Sequence, residues 1–151
     1  MIIQENNNKP IGLASDHAGF DTKEYIISIL KSMGLDYKDF GTKTSESTDY
    51  PDYAHPLATA IEDGECNFGI AICGTGNGIN MTMNKHQGIR AALCWTPDVA
   101  FYARAHNNAN VLSLPGRLLT NEEFFEIIKM FLTTPFEGGR HERRVNKIAC
   151  S

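Results

Sequence analysis

Residues 68–73, FGIAIC, run straight into the turn GTGNG at 74–78, and this junction decides the fold. A six-residue apolar run bounded by glycine has the pattern of a strand covered on both faces, as in the middle of a parallel sheet. Upstream, PIGLAS (10–15) reads as another strand. A helix follows over Phe20–Met33, where Tyr25, Ile26, Ile29, Leu30 and Met33 share one face and Gly34 ends it. LDYKDF (35–40) is a second strand, and the polar loop 41–53 leads to a helix that contains Pro56 and ends near Gly64. Downstream of the glycine turn come a helix, the strand IRAALC (89–94), and the helix TPDVAFYARAH (96–106) with Pro97 in its first turn. The strand ANVLSL (109–114) and a helix over Glu122–Thr133 follow. Pro135 and Gly138–Gly139 then break the chain before a last helix over Arg140–Ala149. Five alternations of strand and helix predict a three-layer α/β/α, Rossmann-like fold: a five-stranded parallel sheet plus a C-terminal helix. Residues 9–151 read as one domain, and the polar opening 1–8 as a disordered or vector-derived extension. Ligands in such folds bind beyond the carboxyl ends of the strands, so Asp16, His17 and Cys73 are expected at one edge of the sheet.

The 151 residues carry a net charge of −4 and no concentrated basic face, which removes the usual reason to expect nucleic-acid binding. The one basic cluster is GGRHERR at 138–144. No apolar run approaches the ~20 residues of a membrane span. The four cysteines, at 66, 73, 94 and 150, form no CxxC pair and follow no secretory segment, so a reducing, cytoplasmic setting is expected. Cys66, Cys94 and Cys150 read as buried structural thiols, and Met81 and Met83 as core packing.

The glycine turn tempts three readings that fail together. A dinucleotide fingerprint needs glycine at position 79, where the chain has Ile79. A phosphate-binding Walker loop needs a Lys-Ser/Thr pair, and a thiol phosphatase loop needs arginine at 79. What survives is physical: the glycines let several N–H groups converge at a helix start, a nest for an anion. Cys73 hangs over that nest. A free thiol titrates near 8.5, and a partly buried helix terminus supplies up to ~2 kcal/mol towards its thiolate. A thiolate beside an anion nest suits proton abstraction next to a carbonyl, although acyl transfer would use the same parts.

Seven stretches in order, SDHAGF (15–20), STDYPDYA (47–54), ICGTGNGI (72–79), NKHQGIRAA (84–92), RAHNNANVL (104–112), GR (116–117) and EGGRHERRV (137–145), resemble the type B ribose-5-phosphate isomerase family, which also includes galactose-6-phosphate isomerase. The resemblance implies an aldose–ketose isomerase that needs no metal or cofactor and interconverts ribose 5-phosphate and ribulose 5-phosphate. It implies Cys73 as the base between C1 and C2, with Thr75 and the amides of Gly74, Gly76, Asn77 and Gly78 holding the enediolate. His106 would assist ring opening beside Asn107. Asp16 and Asp49 would bind sugar hydroxyls, Tyr50 would line the pocket, and His17, Arg117, Arg140 and Arg144 would hold the phosphate. Arg140 and Arg144, four apart, project from one helix face. His55, His86 and His141 are left with structural or surface roles, and the scattered histidines give metal binding little support.

The helix 97–106 starts at the carboxyl edge and spans about 15 Å, so it carries His106 to the opposite edge from Cys73. If both act on one sugar, His106 comes from a second subunit across a two-fold interface, which implies a homodimer or a tetramer built from it. A hexose 6-phosphate isomerase (allose or galactose) and a non-catalytic nucleotide-binding module are the alternatives.

Overall fold

The computed structural model describes residues 2–150. Five strands, β1 (Ile11–Ser15), β2 (Tyr37–Asp39), β3 (Gly69–Cys73), β4 (Ala91–Leu93) and β5 (Val111–Pro115), form one sheet in the order β2-β1-β3-β5-β4. Every neighbouring pair is parallel. Six α-helices connect and cover them: α1 (Phe20–Ser32), α2 (Pro51–Glu62), α3 (Asn77–Met83), α4 (Pro97–Ala105), α5 (Asn121–Thr133) and α6 (Arg140–Val145). Helices α1, α4 and α5 cover one face through Ile26, Leu30, Ala100, Phe124, Ile127 and Phe131. On the other face, α2 and α3 present Leu57, Ala58, Ile61, Ile79 and Met83. The expected α/β/α sandwich is therefore what the chain forms.

Strands β1, β3 and β5 are buried at every position, as their apolar runs require, whereas the edge strand β4 is half-buried throughout. β2 and β4 are each three residues long, shorter than their apolar stretches suggest, because an edge strand is hydrogen-bonded on one side only. Helix starts are fixed locally. The Thr96 hydroxyl accepts from the Val99 N–H ahead of Pro97, and Thr120 and Glu123 form a reciprocal capping box on α5.

Three expectations need correction. The opening residues are not loose: the Ile3 N–H donates to the Leu132 carbonyl at 2.9 Å, residues Gln4–Asn6 form a 3₁₀ turn, and Ile3 and Asn6 are buried. The Glu5 carboxylate accepts from the Phe136 N–H at 3.1 Å and lies 3.5 Å from the guanidinium of Arg104, which is wholly buried. Polarity alone misleads here, because Glu5 gives a buried cation an anionic neighbour. The last helix stops at Val145 rather than Ala149. Met83 is buried as expected, but Met81 is 65% exposed, since a seven-residue helix turns only one side to the sheet.

Candidate active site

The chain leaves β1 towards β2 on one side and returns to β3 on the other. The loops after β1 and β3 therefore part at the carboxyl edge, leaving the crevice where ligands bind in such sheets. Asp16 and His17 lie in the first loop. The Asp16 N–H donates to the Ile72 carbonyl at 3.3 Å, tying the loop to β3. Asp16 Oδ1 accepts from the Ala18 and Gly19 N–H groups at 3.0 and 3.2 Å, which fixes a 3₁₀ turn and holds the largely buried carboxylate at the crevice. The Thr48 N–H points at Nδ1 of His17 at 3.1 Å, and Thr48 Oγ1 accepts from the His17 N–H at 3.0 Å. The Thr48 carbonyl oxygen lies 3.2 Å from the same Nδ1, so the Thr48 backbone offers a partner to either tautomer of the ring.

Those bonds to Thr48 bring the 47–50 loop, with exposed Asp49 and Tyr50, against the same crevice. Tyr50 lies across Gly78, where an added Cβ would collide with its ring; the Tyr50 hydroxyl would stand 2.7 Å away. Cys73 ends β3 and is 4% exposed. Past it, Gly76 takes φ +79° and turns the chain into α3. Thr75 is exposed, and its Oγ1 accepts from the Asn77 N–H at 3.2 Å. Among the described residues, the N–H groups of Gly74, Thr75 and Gly76 have no hydrogen-bond partner, so they are available to an anion. The turn after β5 closes the cradle from the third side. The Gly116 N–H donates to the Cys73 carbonyl at 2.8 Å, and the Arg117 N–H to that of Gly74 at 3.0 Å. The Arg117 side chain runs along Gly74, 3.4 Å from where a Cβ would sit.

One edge of the sheet thus gathers Asp16, His17, Asp49, Tyr50, Cys73, Thr75 and Arg117. The glycine turn 74–78 lies there too, whereas His106, Asn107, Arg140 and Arg144 lie at the other. His106 caps the C-terminal end of α4, the Glu137 N–H donates to the Ala105 carbonyl at 3.0 Å, and α6 with Arg140 and Arg144 follows directly. Both arginines are exposed, each one position before a buried residue, His141 and Val145. Asn107 helps line a hollow of about 490 Å³ at this amino edge, with Asn84, Arg90, Ile148 and Cys150. One length of β3 and one of α4 separate the two groups, on the order of 15 Å.

The other thiols are chemically quiet or remote. Burial raises the pKa of Cys66, with the Glu65 carboxylate adding to it, and pushes Cys94 up to about 12. Cys150 is exposed, contrary to expectation, because the chain turns away from the core after α6. His55 and His86 join at the surface, Nδ1 to Nε2 at 2.7 Å, with Glu62 accepting from His86 at 2.9 Å.

The sequence reading missed one cluster. His141 stacks on His106, ring centroids 4.1 Å apart and planes 16° from parallel, with Glu137 oxygens 3.8 Å from Nε2 of His106 and 3.6 Å from that of His141. Only the i,i+4 spacing of Glu137 and His141 hinted at it. The donor atoms lie within 4.8 Å of one another. Stacked imidazoles nevertheless aim their in-plane lone pairs side by side, not at one point ~2.0 Å from each nitrogen as a cation such as zinc requires.

No helix among the described residues is long and apolar enough to cross a membrane. The sequence profile of the Ribose/Galactose Isomerase family matches residues 11–148. Ribose-5-phosphate isomerase B of Escherichia coli is 44% identical over 140 residues, covering 93% of this chain and 94% of that protein. A crystal structure of a ribose 5-phosphate isomerase from Thermotoga maritima superposes with a TM-score of 0.92 at 52% identity, covering 93% of this chain and 97% of that one. The Mycoplasma genitalium ribose-5-phosphate isomerase B with bound ribulose-5-phosphate superposes at 0.87 with 42% identity, covering 92% and 93%. Matched by the family profile over residues 11–148 and 44% identical to a member over nearly the whole length of both, the chain belongs to the ribose/galactose isomerase family.

Proposed function

We propose that the chain interconverts D-ribose 5-phosphate and D-ribulose 5-phosphate through a cis-enediolate, in a site shared by two copies. The division of the expected site residues between opposite edges of the sheet is the observation that carries this reading. On one copy, Cys73 takes the C2 proton of the open-chain aldose and returns it to C1, while the proton of the C2 hydroxyl passes to O1. Such proton transfer contributes about 10²–10⁴-fold. The charge that develops on the C1–C2 oxygens falls to Thr75 and to the N–H groups of Gly74, Gly76 and Gly78, with the Asn77 N–H, held on Thr75 Oγ1, orienting that hydroxyl. Asp16 and Asp49 accept from sugar hydroxyls, and Tyr50 walls the crevice.

The second copy brings His106 and Asn107 to the ring end of the sugar. Its Arg140 and Arg144 join His17 and Arg117 of the first copy around the phosphate. Phosphate binding far from the reacting carbons orients the sugar for proton transfer. The assembly is a homodimer, or a tetramer built from it. Four free cysteines among the described residues support a reducing, cytoplasmic setting.

Turnover of pentose and hexose phosphates, with Cys73→Ala as control, tests the reading. Ribose 5-phosphate is expected as the preferred substrate, with activity at least about 100-fold lower in Cys73→Ala. Preference for a hexose 6-phosphate would move the assignment to the family's other branch. Undiminished activity in Cys73→Ala would overturn the role of the thiol.

A further inference from the structure

We propose that Glu137 and His141 are positioning residues for ring opening, holding His106 as a proton carrier with Nε2 towards the carboxylate and Nδ1 towards the sugar. This rests on the reading of His106 given above. The His106 ring, about one-third exposed, is the more open of two stacked imidazoles, and His141 beneath it is 7% exposed. Nε2 of His141 is buried without a hydrogen-bond partner. A ring that is both buried and unpartnered serves as a platform better than as an acid. Burial lowers its pKa, and neighbouring His106, Arg140 and Arg144 act in the same direction against the opposing Glu137 carboxylate. His141 is therefore neutral when His106 takes up a proton, and two stacked cations are avoided.

Glu137 faces both rings, but only His106 can reach a sugar, because His141 lies inside the stack. With Nε2 of His106 turned to Glu137 at 3.8 Å, Nδ1 is the nitrogen left for substrate. Tyr102 also packs against the His106 ring, its centroid 5.0 Å away and its plane tilted by 52°. Opening the furanose then proceeds without net gain or loss of protons. Nδ1 takes the proton from the C1 hydroxyl, and that O–H pair becomes the second C1–O bond. The bond from C1 to the ring oxygen breaks, its electron pair stays on that oxygen, and Nδ1 delivers the proton there. Between the two transfers His106 is an imidazolium, and the Glu137 carboxylate 3.8 Å away stabilises its charge through space.

The experiment separates ring opening from enolisation. Ribulose 5-phosphate cannot close a furanose ring with its 5-oxygen esterified, so exchange of its C1 hydrogen in D₂O, followed by NMR, needs Cys73 but not ring opening. Turnover of ribose 5-phosphate needs both. Glu137 is exposed, so Glu137→Gln is expected to fold and dimerise normally. In that variant kcat on ribose 5-phosphate should fall at least about tenfold, with the C1 exchange rate unchanged. His141→Ala removes the platform and should lower ribose turnover with the C1 exchange intact, whereas His141→Phe keeps a flat ring without nitrogen and should retain both rates. Equal loss of the two rates in Glu137→Gln, or loss of neither, overturns the proposal. So does loss of ribose turnover in His141→Phe with exchange intact, which would make His141 a proton carrier itself. His106→Asn run alongside separates the two failures. If it leaves ribose turnover intact, the assignment of His106 is wrong; if it alone abolishes turnover, the positioning role is wrong and the assignment stands.

Discussion

Gly76 shows how narrowly the cradle is specified. Its φ of +79° disfavours any L side chain, and an added Cβ would press on Leu93 Cδ1 and stand 3.1 Å from the backbone carbonyl of Leu114. Gly76→Ala therefore combines left-handed strain with a clash against a neighbouring strand, together about 1–3 kcal/mol. The expected outcome is a lower urea midpoint, with loss of isomerase activity as Cys73 and Thr75 shift. At Gly138 the φ is +70° but a Cβ meets nothing within 4 Å, so Gly138→Ala should cost less, about 0.5–1 kcal/mol. Equal midpoints for the two variants would show that packing against β4 and β5 adds nothing. Residues of this kind were legible from sequence: three glycines in five positions after an apolar run announce a backbone that curls. Glu137 and His141 were not, because only the break at Pro135 and Gly138–Gly139 folds them back onto a histidine some thirty residues earlier.

At the scale of elements, strands and helices were readable because each carries its own periodicity, and their ends were blurred only where an edge strand lacks a second partner. What joins one element to another was less readable. Lys23, on α1, is fully buried and reaches Asp39 at the end of β2, Nζ to Oδ2 at 2.7 Å, while Lys43 approaches the same oxygen at 2.9 Å. Burial by itself raises the Asp39 pKa. The Lys23 hydrogen bond, the Gly41 N–H and Lys43 outweigh it and leave the carboxyl below its ordinary 3.8. A depressed folded-state pKa means that the contribution is complete above the ordinary value and is lost as pH falls through the lowered one. Stability should thus decline below about pH 4, and Asp39→Ala should flatten that limb. At neutral pH Asp39→Ala leaves the buried Lys23 ammonium with only the exposed Glu24 carboxylate, at 3.6 Å, for an anionic partner, at a cost of up to about 3–5 kcal/mol, and Lys23→Met in the same chain should recover much of it. Urea unfolding at pH 7 and pH 3 on the two variants checks both expectations. The N-terminal turn follows the same rule, since the Glu5 carboxylate finds its partners, buried Arg104 and the Phe136 N–H, some hundred or more residues later.

At the scale of the whole molecule, parallel strands place every strand-to-helix loop at one edge and every helix-to-strand loop at the other. Cys73 ends β3 and His106 precedes β5, so a single chain holds them apart by construction. That consequence followed from element order alone, although the strand order β2-β1-β3-β5-β4, with β5 inserted between β3 and β4, did not. A two-fold axis that sets the carboxyl edge of one copy against the amino edge of the next would complete two identical sites. Cys73→Ala and His106→Ala homodimers should each be nearly inactive, because each lacks one group at both sites. Dissociated, mixed in equal amounts and re-associated, they should form mixed dimers in which one site holds both groups and the other neither. Random pairing makes half of all dimers mixed, so activity should return to about a quarter of the wild-type level. Mixed dimers isolated with two different affinity tags should show about half. Isolated mixed dimers no more active than either parent would place Cys73 and His106 in separate functions.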